Sequence, residues 1–168
     1  MKPLIVYHSR QGHNKALAMT LQEEFDGRGI RAEMIRIEAQ SQTGIVRSCI
    51  RSIFGRPAKL ASVPDLGDHN PILICSPIWA GHLTPVFLGF VKSLEMVPGR
   101  RVFNLHCCYG DTAGALARAG ELLQQKGAEV IGSAYITTSD LLERGKLPPF
   151  VKEVVDRCVA PSSGQANG

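Results

Sequence analysis

The stretch Leu4-Ile5-Val6-Tyr7-His8-Ser9-Arg10-Gln11-Gly12-His13-Asn14-Lys15 decides how this chain is read. Its first four residues form an uninterrupted apolar run, the pattern of a parallel strand covered on both faces. Ser9 to Asn14 is polar, carries one glycine and leads into a helix over 14–28, where Leu17, Leu21 and Phe25 recur every four residues with Ala18 beside them. Gly27 and Gly29 end that helix. A short polar loop feeding a helix N-terminus presents unpaired N–H groups and the positive end of the helix dipole, which favour an anion. Gly12 lets the backbone come close to a ligand, Ser9, Gln11 and Asn14 can donate hydrogen bonds, and Arg10 supplies charge. The loop therefore reads as a phosphate seat, though taken alone it reads equally well as a plain turn capped by Asn14. It is neither a P-loop nor a dinucleotide G-x-G-x-x-G. Gly27-Arg28-Gly29 with Ala32 mimics the latter between a helix and a strand, which is the wrong context.

Outward from this stretch, strand and helix signals alternate. Residues 31–37 mix Arg31, Glu33 and Arg36 with Met34, Ile35 and Ile37, as suits an edge strand. In the segment 39–64, which holds no acidic residue, Ile45, Val46, Cys49, Ile50, Ile53 and Phe54 make the stripe of a second helix. Its Arg47 and Arg51, with Arg56 and Lys59 beyond, read as a solvated face; docking an acidic partner or the 2′-phosphate of NADPH is the less weighted use. Ile72 to Cys75 is the third strand, followed by a helix with Phe87, Phe90, Val91 and Leu94 on one stripe. Arg101 to Cys108 is the fourth strand, 112–126 a helix with Leu116, Ala119 and Leu123 inward, and 129–136 the fifth strand. Pro149 opens a last helix carrying Val151, Val154, Val155 and Cys158. Five strands separated by helices predict a doubly wound parallel sheet with helices on both faces. One domain is expected over 1–159, with a flexible tail over 160–168.

Composition sets limits on this reading. The 168 residues are 44% hydrophobic and 20% charged, an ordinary globular balance. No apolar run approaches the roughly 20 residues of a membrane span. Met1-Lys2-Pro3-Leu4 runs straight into the first strand with no cleavage pattern, so no signal peptide is expected. Cys49, Cys75, Cys107, Cys108 and Cys158 are odd in number and include no CxxC pair, so reduced thiols and a cytoplasmic location are expected. The net charge of +4 fits anionic ligands or acidic partners and is too small to argue for nucleic acid. The histidines show no ligand spacing, so no metal is predicted.

In a doubly wound sheet, ligands bind outside the C-terminal ends of the strands. That rule singles out the segments after strands one, three and four. Ser76-Pro77-Ile78-Trp79-Ala80-Gly81-His82 places the only tryptophan in a loop at the ligand edge, where its face can meet an aromatic ring or simply cover the core. Cys107-Cys108-Tyr109-Gly110-Asp111-Thr112 brings a second aromatic, a glycine and a capping aspartate to the same edge. Alternation along the strand points one of the adjacent thiols inward and one outward, and packing is favoured over a redox role.

Ser9-Arg10-Gln11-Gly12-His13-Asn14 resembles the phosphate loop of flavodoxins, and Ser76-Pro77-Ile78-Trp79-Ala80-Gly81 resembles the flavin loop after strand three. Tyr109-Gly110 falls where the second flavin loop lies, with Cys108 and Asp111 on either side as further candidate cofactor contacts. The resemblance runs in order and spacing to about Cys158; Gln11 and Asn14 stand where hydroxyl residues are usual. It implies a five-stranded flavodoxin-like sheet of order 2-1-3-4-5 that binds FMN noncovalently, phosphate on 9–14 and ring between Trp79 and Tyr109. The Ala80-Gly81 peptide would reorient cheaply beside the ring, and Asp111 would lower its potential. Gly12-His13 also resembles the Gly-His of the quinone-reductase branch of the superfamily, with His13 or His82 then lining a substrate cleft. Because carrier flavodoxins tend to be acidic and this chain is basic, an NAD(P)H-linked oxidoreductase acting on a quinone or similar acceptor is expected ahead of an electron carrier without turnover of its own. Expected partners are NAD(P)H or a reductase and a small-molecule acceptor, with a homodimer possible; neither nucleic acid nor a membrane is expected.

Overall fold

A computed structural model describes residues 1–41, 44–95, 98–110, 112, 114–143 and 145–161 of the chain. Five parallel strands, β1 (Leu4–Tyr7), β2 (Glu33–Arg36), β3 (Ile72–Trp79), β5 (Arg101–Cys108) and β6 (Glu129–Thr137), form a sheet of order β2-β1-β3-β5-β6. This is the expected 2-1-3-4-5 order with one addition. A two-residue strand, β4 (His82–Leu83), folds back antiparallel onto the end of β3. The helices are α1 (His13–Gly27), α2 (Ile45–Ile53), α3 (Pro85–Ser93), α4 (Ala115–Gln125), the short α5 (Thr138–Leu142) and α6 (Leu147–Val159). None of them is long and apolar enough to cross a membrane.

Alternation along the central strands divides the core into two layers. Leu4, Val6, Ile72, Ile74 and Val102 face Phe87, Phe90 and Val91 of α3 and Ala119 and Leu123 of α4. On the other face, Ile5, Leu73, Phe103 and Leu105 meet Leu17, Leu21 and Phe25 of α1 and Val151, Val154 and Val155 of α6. All four residues of β1 are buried, whereas β2 at the sheet edge is half exposed, as its mixed sequence requires. Thr84 starts α3 sharply, its Oγ1 accepting from the Phe87 N–H at 3.3 Å, with Pro85 in the first turn.

Two expectations are corrected. The apolar stripe of α2 faces outward: Val46 and Phe54 are 74% and 70% exposed, while Ser48 and Ser52 are buried on the inner side. Neither of the adjacent thiols points outward. Cys107 and Cys108 are both buried, one in each core layer, because both faces of β5 are covered. Burial pushes the Cys107 thiol above its ordinary range, which keeps it in the unreactive form.

Candidate functional site

The C-terminal ends of β1, β3, β5 and β6 meet at one edge of the sheet, and a cavity of about 310 Å³ opens there. That volume lies at the lower end of the range of small-molecule sites. The segment after β1 contributes Ser9, Arg10, Gln11, His13 and Asn14 to its wall. Pro77, Ile78, Trp79, Ala80 and Gly81 come from the end of β3, and Cys107, Cys108, Tyr109 and Gly110 from the end of β5. The three predicted segments are thus brought together. Gly12 is outside the wall, at the N-cap of α1 with φ 93°, a conformation that a side chain would strain. Asp111 lies outside the described residues.

Asn14 does not cap α1. It occupies the second helical position and is buried, and its Oδ1 has no hydrogen-bond partner. Ser9 Oγ is likewise buried and unpartnered. Since Gly12 offers no side-chain cap, the N–H groups of the first turn have no capping side chain. Unsatisfied buried polar atoms carry a desolvation penalty, which an anion would remove at the Ser9 hydroxyl and a ligand hydroxyl at Asn14 Oδ1. No carboxylate lines the cavity among the described residues, while Arg10 does. The wall is therefore suited to an anion.

Trp79 is the last residue of β3 and half buried, not a loop residue. Pro77 does not stop the strand; β3 is bonded through Pro77 to β5 and then turns over Ala80-Gly81 into β4. Both turn residues have positive φ, 49° and 75°, the pattern of a type I′ hairpin. Ala80 pays a steric penalty there that a glycine would not, and such strain gathers at functional sites. The guanidinium of Arg10 stands 6.0 Å from the centre of the Trp79 ring. Across the mouth, Tyr109 is 72% exposed and its hydroxyl donates to Gln11 Oε1 at 2.7 Å. His13 meets the Tyr109 ring edge-on at 6.3 Å. The first and last of the three loops are thereby tied together over an opening flanked by two aromatic faces.

Two wall residues escape the sequence reading. Thr138 follows β6, and its Oγ1 donates to the Cys108 carbonyl at 3.3 Å. The end of a fifth strand beside the other loops was the available signal. Cys49, half buried on α2, gave none, because its place depends on how that helix is seated. His82 moves the other way: it is exposed on β4 and lines a separate outer groove, not this cavity.

No protein-family profile and no curated protein sequence matches the chain. Solved structures do. A protein from Bacteroides uniformis described as a flavoprotein superposes with a TM-score of 0.72 at 16% identity, over 92% of this chain and 97% of that one. Oxidised flavodoxin 2 from Bacillus cereus gives 0.61 at 17% identity, over 94% and 99%. The chain has the flavodoxin-like fold. A Lactobacillus acidophilus flavoprotein solved in complex with FMN gives 0.66 at 21% identity, over 80% and 92%. In a flavodoxin-like fold, ligands are expected at the strand edge where this cavity lies.

Proposed function

We propose that the chain binds FMN noncovalently in this cavity and works as an NAD(P)H-linked flavin oxidoreductase on a quinone or similar small acceptor. The observation that carries the reading is the uncapped start of α1, with the buried, unpartnered Ser9 hydroxyl and the Arg10 charge in the same cavity wall. A phosphate monoester would meet the first-turn N–H groups and the Ser9 hydroxyl, with Arg10 supplying charge, while Asn14 Oδ1, an acceptor, would take a proton from a ligand hydroxyl. The ring would lie between Trp79 and Tyr109, flanked by Pro77, Ile78, Ala80 and Gly81 on one side and Cys108 and Gly110 on the other. The FMN complex of the Lactobacillus acidophilus protein supports this choice of ligand. Bound FMN would supply the hydride and electron chemistry, and the protein its position and surroundings. For this chain that means an apolar slot, a strained Ala80-Gly81 turn beside the ring and a cationic phosphate end.

Carrier and reductase differ in turnover. The purified protein, reconstituted with FMN, is expected to be yellow with a resolved flavin absorption band, and to oxidise NAD(P)H steadily with a benzoquinone. A colourless protein that takes up no added FMN overturns the cofactor. A yellow protein that oxidises NAD(P)H no faster than free FMN leaves the electron carrier.

A further inference from the structure

On the other side of Trp79 lies a second cavity of about 140 Å³, between the C-terminal ends of β1 and β2 and the inner face of α2. It is too small for a second ring system, because pockets for whole small molecules begin at about 300 Å³. Its charge is one-sided. Among the described residues the only carboxylate in the wall, Glu38, is engaged by Arg36 at 2.6 Å. Arg51 and Lys59 face the same space, and neither has a carboxylate partner among the described residues. Arg51 is held by donating to the Pro57 carbonyl at 2.7 Å, and its Nε is buried without a partner.

His8 lines the wall too, and one nitrogen of its buried ring has nothing to bond. His8 is 9% exposed, and its Nδ1 lies 3.2 Å from the Ile37 carbonyl, to which it can only donate. Nε2 is then a lone-pair acceptor, and it has no partner. Burial, aided by the Arg36 and Arg10 charges, holds the ring below its ordinary pKa and therefore neutral. A ligand that suits both the cations and this nitrogen carries negative oxygens and one proton to donate. A singly protonated phosphate group has both.

We infer that the cavity bounded by His8, Arg51, Lys59 and Trp79 is a second phosphate site, distinct from the seat at the start of α1. Ser9, Arg10 and Trp79 border both cavities, whereas His8, Arg51 and Lys59 belong to the second alone. A phosphomonoester on a second ligand would thus be held beside the FMN cavity. The source is either free phosphate or the 2′-phosphate of NADPH, and only the latter rests on the function proposed above.

Calorimetric titration of the FMN-loaded protein with inorganic phosphate, at ionic strength held constant with chloride, tests the site. One saturable site is expected, weakened about tenfold or more in Arg51→Ala/Lys59→Ala, each lost charged hydrogen bond being worth roughly that factor. FMN affinity should stay within about twofold, since neither residue lines the FMN cavity. Lys59→Gln alone, at an exposed position, should weaken phosphate several-fold while the urea-unfolding midpoint stays that of the wild type. No saturable binding, or equal binding by the variants, overturns the site. Should the protein take up no FMN, the same titration of the unloaded protein separates the two readings. Two phosphates on the wild type and one on the double variant would uphold this site while the flavin proposal fails. For the source, a double variant that slows flavin reduction by NADPH and spares NADH identifies the nucleotide phosphate; one that slows neither identifies free phosphate.

Discussion

In α1, Leu17, Leu21 and Phe25 face the sheet and are fully buried; in α2, Val46, Ile50 and Ile53 face away from it while Ser48 and Ser52 take the inward positions. The two stripes have the same period and similar residues. What differs is the ground beneath each helix. α1 lies over the apolar faces of β1, β3 and β5, where every apolar side chain it lowers removes surface from water. α2 lies beyond the edge of that layer, against α3 and β4, with the small cationic cavity under its inner face. Serines suit that position. Ser52 Oγ donates to the Ser48 carbonyl at 3.1 Å, and Arg10 donates to Ser48 Oγ at 3.3 Å. An amphipathic period establishes that a segment is helical; which face is lowered depends on what the neighbouring elements offer it.

The sharpest way to break this comparison is to truncate one residue from each stripe. Leu21→Ala should cost about 2–5 kcal/mol in urea unfolding, as a buried leucine does, while Ile50→Ala should stay within about 0.5 kcal/mol. Equal losses would mean that α2 is buried in solution by something absent from this fold. A smaller effect is expected where α2 is anchored. A Cβ at Gly89 of α3 would sit 2.1 Å from the Ala58 carbonyl oxygen, just after α2, and Ala58 donates its N–H to the Pro85 carbonyl at 2.7 Å. Gly89→Ala should therefore cost about 1–3 kcal/mol, because backbone must move. It should also displace α2, to be read as altered amide exchange over 45–53. No change would show that the seat of α2 is set elsewhere. The smallest effect belongs to Ile50→Ser/Phe54→Ser. Stability should change by no more than about 0.5 kcal/mol, while binding of a hydrophobic dye falls. A marked loss of stability would place these side chains in contacts that the fold does not show.

Much of the site was open to reading. Ser9 to Asn14 could be placed because a buried run followed by a polar glycine loop and an amphipathic helix has few alternatives. The sheet-edge rule then gathered Trp79 and Tyr109 without any knowledge of geometry. Local detail was less accessible. Pro77 suggests a break, yet the β3 chain stays extended and bonded to its neighbour, so Trp79 ends a strand. Asn14 has the chemistry of a cap, but Gly12 starts the helix before it and leaves its side chain buried.

Arg51 shows the limit most clearly. In the sequence it belongs to a row of surface cations, and in the fold it turns under α2 toward His8 and Lys59. By itself, the sequence determined the five parallel strands, the five longer helices and the three loops of the larger cavity, though not β4 or α5, because periodicity and strand-end position are properties of the chain. Only the tertiary structure decided the outward stripe of α2, the two buried thiols and the second cavity. Those depend on which surfaces meet, and that is settled by packing between segments far apart in the chain.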